Sequence, residues 1–318
     1  MKETIKHMKN YEFPYGIMFH HFYDSKNAKS QGAISASQLK RIIEHYRDNY
    51  VILSADEWMY KACRGTLSKN EVCLTFDDAL LCQYEIALPV LMEYNLTAFW
   101  FVYSSVIAGN IEMLEVHRKF RTVYFKNVND FYENFFLAVN HSNFCVNIES
   151  FLKKMPQDFL RNFEFYSKED KQFRYVRDIM LGPKNYESIM SLMMSECDID
   201  IDKFAQGLWM REDHLKDLDS KGHIVGLHSH SHPTLVALLT KEEQRQEYKL
   251  NYDILCQILN KRPKAMAHPC NSYNEDTIAI LKEFDIEIGF RSNMGKCPIS
   301  KLELKREDHA NVIRRMNI

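Results

Sequence analysis

Little in these 318 residues suits an exported, fibrous or disulfide-built chain. Glycine and proline are scarce, at 10 and 8, which argues against a many-turned β-sandwich. The eight cysteines never come closer together than nine residues, so there is no C-x-x-C pair and no dense disulfide framework. Reduced thiols in a cytoplasmic protein are the expectation. Residues 1–11 are charged and carry no apolar stretch of the kind a secretory signal needs. The most apolar segment, Ala87 to Gly109, is broken by Pro89, Glu93 and Asn95, so it reads as a buried helix and strand in series and no transmembrane segment is expected. Neither sign of charge dominates. With 43 acidic against 41 basic residues, a basic nucleic-acid binder is excluded as the default and no nucleic-acid partner is expected. What the chain has in quantity is apolar and aromatic side chains, at 46% and 13%. That is enough for a large core, with either a wide ring-lined cavity or an aromatic-rich accessory segment.

Strand-like runs alternate with segments of helical period. Tyr15 to Phe19 ends at His20-His21, and a helix from near Ser37 puts Leu39, Ile42, Ile43 and Tyr46 on one face. A strand over Tyr50 to Leu53 and a helix from about Ala55 follow. Val72 to Phe76 then ends at Asp77-Asp78, before a helix over Tyr84 to Tyr94 and a strand over Ala98 to Val102. The alternation stops from Glu112 to about Phe204, a stretch rich in Phe, Tyr, Lys and Glu at helical spacing, which reads as a helical insertion. It resumes with a helix over Glu212 to Ser220 and a strand over His223 to Leu227, which ends at His228-Ser-His-Ser-His232. Pro233 suits the first turn of the next helix, which runs to Leu259. The strand Lys264 to Ala267 ends at His268-Pro-Cys-Asn-Ser-Tyr-Asn274, and a helix over Glu275 to Phe284 and a strand over Ile286 to Phe290 complete the pattern. In a parallel barrel, clusters that follow strands converge on one face.

Two of these clusters carry chemistry in their residue types. Adjacent carboxylates at a strand end point in different directions, so one can bind a cation while its neighbour takes a proton; the competing reading is a helix N-cap followed by a first-turn acid. His228 and His232, four residues apart, converge with a single carboxylate into a two-His, one-carboxylate site that leaves positions open for water and substrate. The competing reading is an exposed His-rich turn. His230, between them, points elsewhere.

Taken together, Leu74-Thr-Phe-Asp-Asp78 and His228-Ser-His-Ser-His-Pro-Thr-Leu235 resemble the first two motifs of the polysaccharide deacetylase family, the NodB-homology or family 4 carbohydrate esterases. Ala267-His-Pro-Cys-Asn-Ser-Tyr-Asn274 is similar to a variant of the third motif. The resemblance covers residues 12–110 and 205–312 as two parts of one barrel, with 111–204 as the helical insertion. It implies a distorted (β/α)7 barrel in which Asp78, His228 and His232 hold a divalent metal, most often zinc, with Asp77 as general base. The backbone N–H of Cys270 falls where the family holds the oxyanion, and His309, near the C-terminus, where it often keeps a general acid. His20 and His21 end an early strand at which relatives place a site histidine. His268 stands where relatives carry Pro or Tyr, within reach of substrate.

Three departures stand out. Ala267 replaces the Arg that braces the catalytic Asp in relatives, Asn271 replaces a Gly, and Ala79 stands where a Gly follows the two Asp. Arg291 and Arg306 are the candidates to supply the missing charge. The implied activity is metal-dependent removal of an N-acetyl group from an amino sugar, with a nucleotide- or lipid-linked intermediate more plausible than mature wall polymer. The rivals are hydrolysis of a non-sugar C–N bond and a glycan-binding barrel that has lost turnover. The insertion is expected to narrow the pocket to a small sugar; the alternative is that its aromatic residues pack against the barrel wall or a second subunit, giving a homo-oligomer.

Overall fold

The computed structural model describes residues 11–142, 147–161, 166–296 and 300–317. Its strands are short and almost wholly buried, as parallel strands covered on both faces must be. They are β1 (Tyr15–Phe19), β2 (Val51–Ile52), β3 (Glu71–Asp77), β4 (Phe99–Val102), β5 (Ile224–Leu227), β6 (Ala265–Ala267), β7 (Ile288–Phe290) and β8 (Arg306–Asp308). All pair in parallel, in the order β7-β6-β5-β4-β3-β1-β8, with β2 beside the start of β3. The sheet curls into a nearly closed barrel. Leu304 joins the two ends, donating to the Gly289 carbonyl at 2.8 Å and accepting from the Arg291 N–H at 2.8 Å. That approach requires glycine, because a Cβ on Gly289 would lie 2.6 Å from the Leu302 carbonyl oxygen.

Alternation along the strands separates two cores. Cys73, Phe99, Phe101, Ala265, Ala267, Ile288 and Phe290 pack together with Trp58. Val72, Leu74, Phe76, Trp100, Val102 and Leu227 pack against the surrounding helices. Those helices are α1 (Ala36–Asn49), α2 (Ala55–Arg64) and α3 (Leu88–Glu93) in the first half. Within the intervening segment lie α4 (Met113–Val123), α5 (Val128–His141), α6 (Ile148–Leu152), α7 (Lys168–Tyr175), α8 (Gly182–Ser195) and α9 (Ile201–Ala205). The second half adds α10 (Glu212–Ser220), α11 (Lys241–Leu259), α12 (Glu275–Glu283) and α13 (His309–Met316).

Three elements depart from the sequence reading. The helix expected over Tyr84 to Tyr94 opens with a π-helical turn, Gln83–Ala87, before α3. Pro233 does not begin a helix: a 3-10 turn spans Val236–Leu238, and α11 starts at Lys241 under a capping box between Thr240 and Glu243, the stronger N-terminal signal. Strand β8 was not foreseen.

The chain divides into two compact units. One holds the barrel: the described residues up to Asn27, Gly32–Asn110 and those from Gly207 on. The other takes Ala28–Gln31 and Ile111–Gln206; of the segment read as a helical insertion, 111–204, the stretches 143–146 and 162–165 lie outside the described residues. Its Phe and Tyr content forms its own core, in which Phe120, Phe131, Phe135 and Phe173 are fully buried and Tyr186 nearly so. No helix among the described residues is long and apolar enough to cross a membrane.

Candidate metal and catalytic site

Asp77 ends β3 and Asp78 leaves it with φ 79°, so the chain turns sharply and the two carboxylates diverge. The Asp78 N–H donates to the Phe101 carbonyl at 3.1 Å, which fixes the turn. His228 and His232 follow β5. The His228 N–H donates to Asn251 Oδ1 at 2.9 Å, and the Asn251 amide donates on to the Val102 carbonyl at 2.9 Å, so one buried side chain ties two strand ends together. Glu247 accepts from the His230 and Ser231 N–H groups at 3.0 and 2.8 Å and holds the loop in which Ser229 and His232 take φ 63° and 54°.

One ligand atom each from Asp78, His228 and His232 lies within 4.8 Å of the others. The Nε2 atoms of both imidazoles stand 3.4 Å from Asp78 Oδ1, an oxygen that is buried and has no hydrogen-bond partner. His228 Nδ1 donates to the Ala267 carbonyl at 2.8 Å, which fixes the tautomer and turns the Nε2 lone pair toward Asp78. Burial pushes the His232 imidazole down to about 4, so it is neutral. Burial alone would do the same to His228, but the Asp77 and Asp78 carboxylates outweigh it and raise its affinity for a proton. An orphaned buried carboxylate oxygen faced by two imidazole nitrogens fits a divalent cation. His230 points away, its Nδ1 3.0 Å from Ser104 Oγ.

Asp77 is 2% exposed and gripped by Arg306, which is fully buried. Arg306 Nη1 and Nη2 donate to its two oxygens at 2.6 and 2.7 Å, Nη1 also to Thr75 Oγ1 at 3.1 Å, and Nε to the Arg291 carbonyl at 2.6 Å. Burial would raise the Asp77 pKa, yet Arg306, with His228 and His20, holds it below the ordinary carboxylate value. The charge absent at Ala267 is therefore supplied from β8. Arg291 does not reach Asp77; its Nη1 donates to the Gly295 carbonyl at 2.9 Å.

His20 Nε2 lies 3.9 Å from Oδ2 of both Asp77 and Asp78, and its side chain is 27% exposed. His21 stacks beside it, ring centroids 6.2 Å apart. Gln83, unforeseen in the sequence, donates from one Nε2 to the His20 carbonyl at 2.8 Å and the Asp77 carbonyl at 2.6 Å, clamping the ends of β1 and β3 from the π-helical turn. Tyr103, also unforeseen, lays its ring against His232 at 5.1 Å and accepts from Trp209 Nε1 at 2.6 Å.

Two expected histidines are used otherwise. His309 is buried, with Nδ1 3.1 Å from the Met18 carbonyl and Nε2 2.8 Å from the Gly32 carbonyl, and it stacks on Phe19. Both ring nitrogens are thus turned to backbone, and neither faces the carboxylate pair. His268 is fully buried, stacked 4.1 Å from Tyr273 with Nε2 donating to the Leu302 carbonyl at 2.8 Å, and burial pushes its pKa down to about 3. It supports the loop and is not placed for substrate. Cys270 is exposed, with φ 49°, in the 3-10 turn Pro269–Asn271 that follows β6.

The polysaccharide deacetylase family model matches residues 179–289, a stretch that includes His228, His232 and Cys270. Over that stretch the chain is similar to the polysaccharide deacetylases. Among solved structures it is similar to the deacetylase PplD of Streptococcus pyogenes in complex with acetate, at 16% identity and TM-score 0.55 over 96% of this chain and 97% of that one. It is also similar to IcaB from Ammonifex degensii, at 15% identity and TM-score 0.54 over 93% and 91%, and to a de-N-acetylase from Aggregatibacter actinomycetemcomitans, at 13% and 0.55 over 92% and 93%. At such identities the likeness is one of fold, the NodB-type (β/α)7 barrel. No curated protein matches the chain.

Proposed function

We propose that the protein is a metal-dependent hydrolase that removes an N-acetyl group from an amino sugar. The observation that carries this reading is the buried, unpartnered Asp78 Oδ1 facing His228 and His232 beside an Arg-braced Asp77. Asp78, His228 and His232 would hold the ion, zinc by the chemistry of the donor set. Such an ion supplies Lewis-acid polarisation of the amide carbonyl and acidifies water.

The remaining steps belong to the chain. Arg306 keeps Asp77 ionised, and the Asp77 oxygen nearest His20 accepts the proton of the attacking water. The Cys270 N–H, at the end of β6, is the proposed oxyanion donor. His20, reachable from solvent and set between the carboxylates, gives its proton to the leaving nitrogen, so the C–N bond breaks to free amine and acetate. His309, with both nitrogens on backbone, is unsuited to that step. The Arg306 grip on Asp77 also weighs against a binding-only barrel, for which the missing Arg at 267 was the argument. Trp209, partly exposed and bonded to Tyr103 beside His232, offers a ring face for a sugar, and a nucleotide- or lipid-linked amino sugar is the substrate class we favour.

The test is acetate release from a panel of N-acetylated sugars, sugar nucleotides and non-sugar amides, with and without chelator, alongside metal analysis of Asp78→Asn. Chelator-sensitive release from sugars, and loss of the ion in Asp78→Asn, are expected. Activity indifferent to chelator, or confined to non-sugar amides, would overturn the reading.

A further inference from the structure

The helical unit contains a second cluster of charge, and its pairing is incomplete. On α4, Arg118 donates from Nε to Glu115 at 2.6 Å and from Nη1 to Ser30 Oγ. On the π-helical turn Val176–Leu181, Arg177 bonds Asp178 at 2.6 and 2.9 Å. The third carboxylate, Asp170 on α7, is buried and taken up by neutral donors: the Tyr132 hydroxyl, Gln31 Nε2 at 2.7 and 2.8 Å, and the Ser167 N–H at 2.9 Å. That leaves Arg121 on α4 and Arg174 on α7. Neither guanidinium makes a hydrogen bond or ion pair with any side chain or carbonyl among the described residues.

Both are held against rings. Arg121 lies 5.9 Å from the Phe173 ring centroid, and Arg174 lies 4.0 Å from that of Tyr166, with its Nε buried and unpartnered. Next to them His117 is 1% exposed, edge-on to Tyr186 at 5.3 Å, and neither of its ring nitrogens has a partner. Burial and then the neighbouring Arg174 charge lower the Arg121 pKa, and burial and then Arg121 bring His117 down to about 4. Two like charges gather beside a neutral imidazole, and the carboxylate whose charge Arg174 feels, Asp170, is already bonded by neutral donors, so buried N–H groups here go unmet. Such donors are costly to leave unmade.

We propose that Arg121 and Arg174, with His117 beside them, bind the phosphate group of a phosphorylated ligand. A guanidinium fork matches tetrahedral oxyanions in bidentate fashion, and two forks match a dianion, whereas a single carboxylate would neutralise only one of them. The site belongs to the helical unit alone and does not depend on the catalytic reading of the barrel.

The test is calorimetric titration of the full chain with inorganic phosphate and with pyrophosphate, against acetate and chloride at matched ionic strength. Saturable binding of the phosphates, and not of acetate, is expected. Arg121→Lys and Arg174→Lys keep the charge but lose the fork and should each weaken binding by about tenfold or more. Phosphate should also shield Arg121 and Arg174 of the unaltered protein from phenylglyoxal, read by mass spectrometry, a measurement independent of how the variants fold. Because phosphate also meets divalent ions, the titration is repeated on Asp78→Asn, where binding must persist. Absence of saturable binding, binding undiminished in both Lys variants, no shielding, or loss of binding in Asp78→Asn would each overturn the proposal.

Discussion

Replacing Arg306 by Met would leave Asp77, 2% exposed, without its counter-charge in the barrel interior. Removing one partner of a buried ion pair costs about 3–5 kcal/mol, because the remaining charge stays desolvated. Arg306 also satisfies the Arg291 carbonyl and Thr75 Oγ1, and a buried acceptor left unmade adds about 1–3 kcal/mol. Set against a typical total stability of ~5–15 kcal/mol, Arg306→Met should stand close to unfolding. Asp77→Asn fails for the mirror reason: its amide presents N–H groups to one arm of a guanidinium that only donates. The double variant removes both charges at once. Guanidinium unfolding of the four proteins should therefore show a double-variant loss smaller than the sum of the single losses by about 3 kcal/mol or more. Additivity within about 0.5 kcal/mol would refute the claim that the pair acts as a unit. So would an Arg306→Met protein as stable as the parent.

His20→Ala should lower the rate of acetate release by about 10²–10⁴ with little change in unfolding midpoint, and an unchanged rate constant would remove His20 from the chemistry. His309→Ala should do the reverse, lowering stability by about 1–3 kcal/mol through the carbonyl that its ring N–H leaves unmet, with turnover per folded molecule near the parent's. Gln83→Leu deprives the His20 and Asp77 carbonyls of their shared donor, so it should cost about 2–6 kcal/mol and weaken metal retention; full metal content at unchanged stability would show that the clamp is dispensable.

The elements that were legible in the sequence are those with apolar periodicity. Strands β1, β3, β4 and β5 announce themselves as Val-, Ile- and Phe-rich runs, each closed abruptly by the polar residues that build the site. Strand β8 carries the opposite signature. Its three residues are Arg306, Glu307 and Asp308, all buried, a composition that signals a solvated loop unless the partners are known. The partners that bury them lie far off in sequence, Asp77 for Arg306 and Tyr11 for Glu307, with only Arg315 nearer to Glu307. Pairings of that range are invisible to local pattern, which is why Arg306 and Arg291 were indistinguishable as braces. The same holds for Gln83 and Asn251, whose work is to bond carbonyls and N–H groups of other strand ends. The reading of His309 as an acid rested on its place near the C-terminus, and only the carbonyls of Met18 and Gly32 show that its nitrogens are occupied.

Backbone strain gathers where the chemistry is. Asp78, Ala79, Ser229, His232, Cys270 and Asn271 all have positive φ, between 49° and 79°, and all lie just beyond β3, β5 or β6. Ala79, at φ 54°, stands where relatives carry Gly, so the effect of restoring Gly can be worked out. The left-handed conformation costs an L-residue roughly 1–2 kcal/mol, which Ala79→Gly would relieve. Against that, Gly gives the unfolded chain more freedom, worth about 0.4–1 kcal/mol, and the lost methyl was buried, worth about 0.8 kcal/mol. The terms nearly cancel, and Ala79→Gly should shift stability by less than about 1 kcal/mol in either direction. A gain near 2 kcal/mol would mean that the turn holding Asp78 is strained beyond its dihedral angle. A loss of that size would mean that the Ala79 methyl, packed in the outer core, is what holds the Asp78 turn in register with the histidines across the barrel mouth.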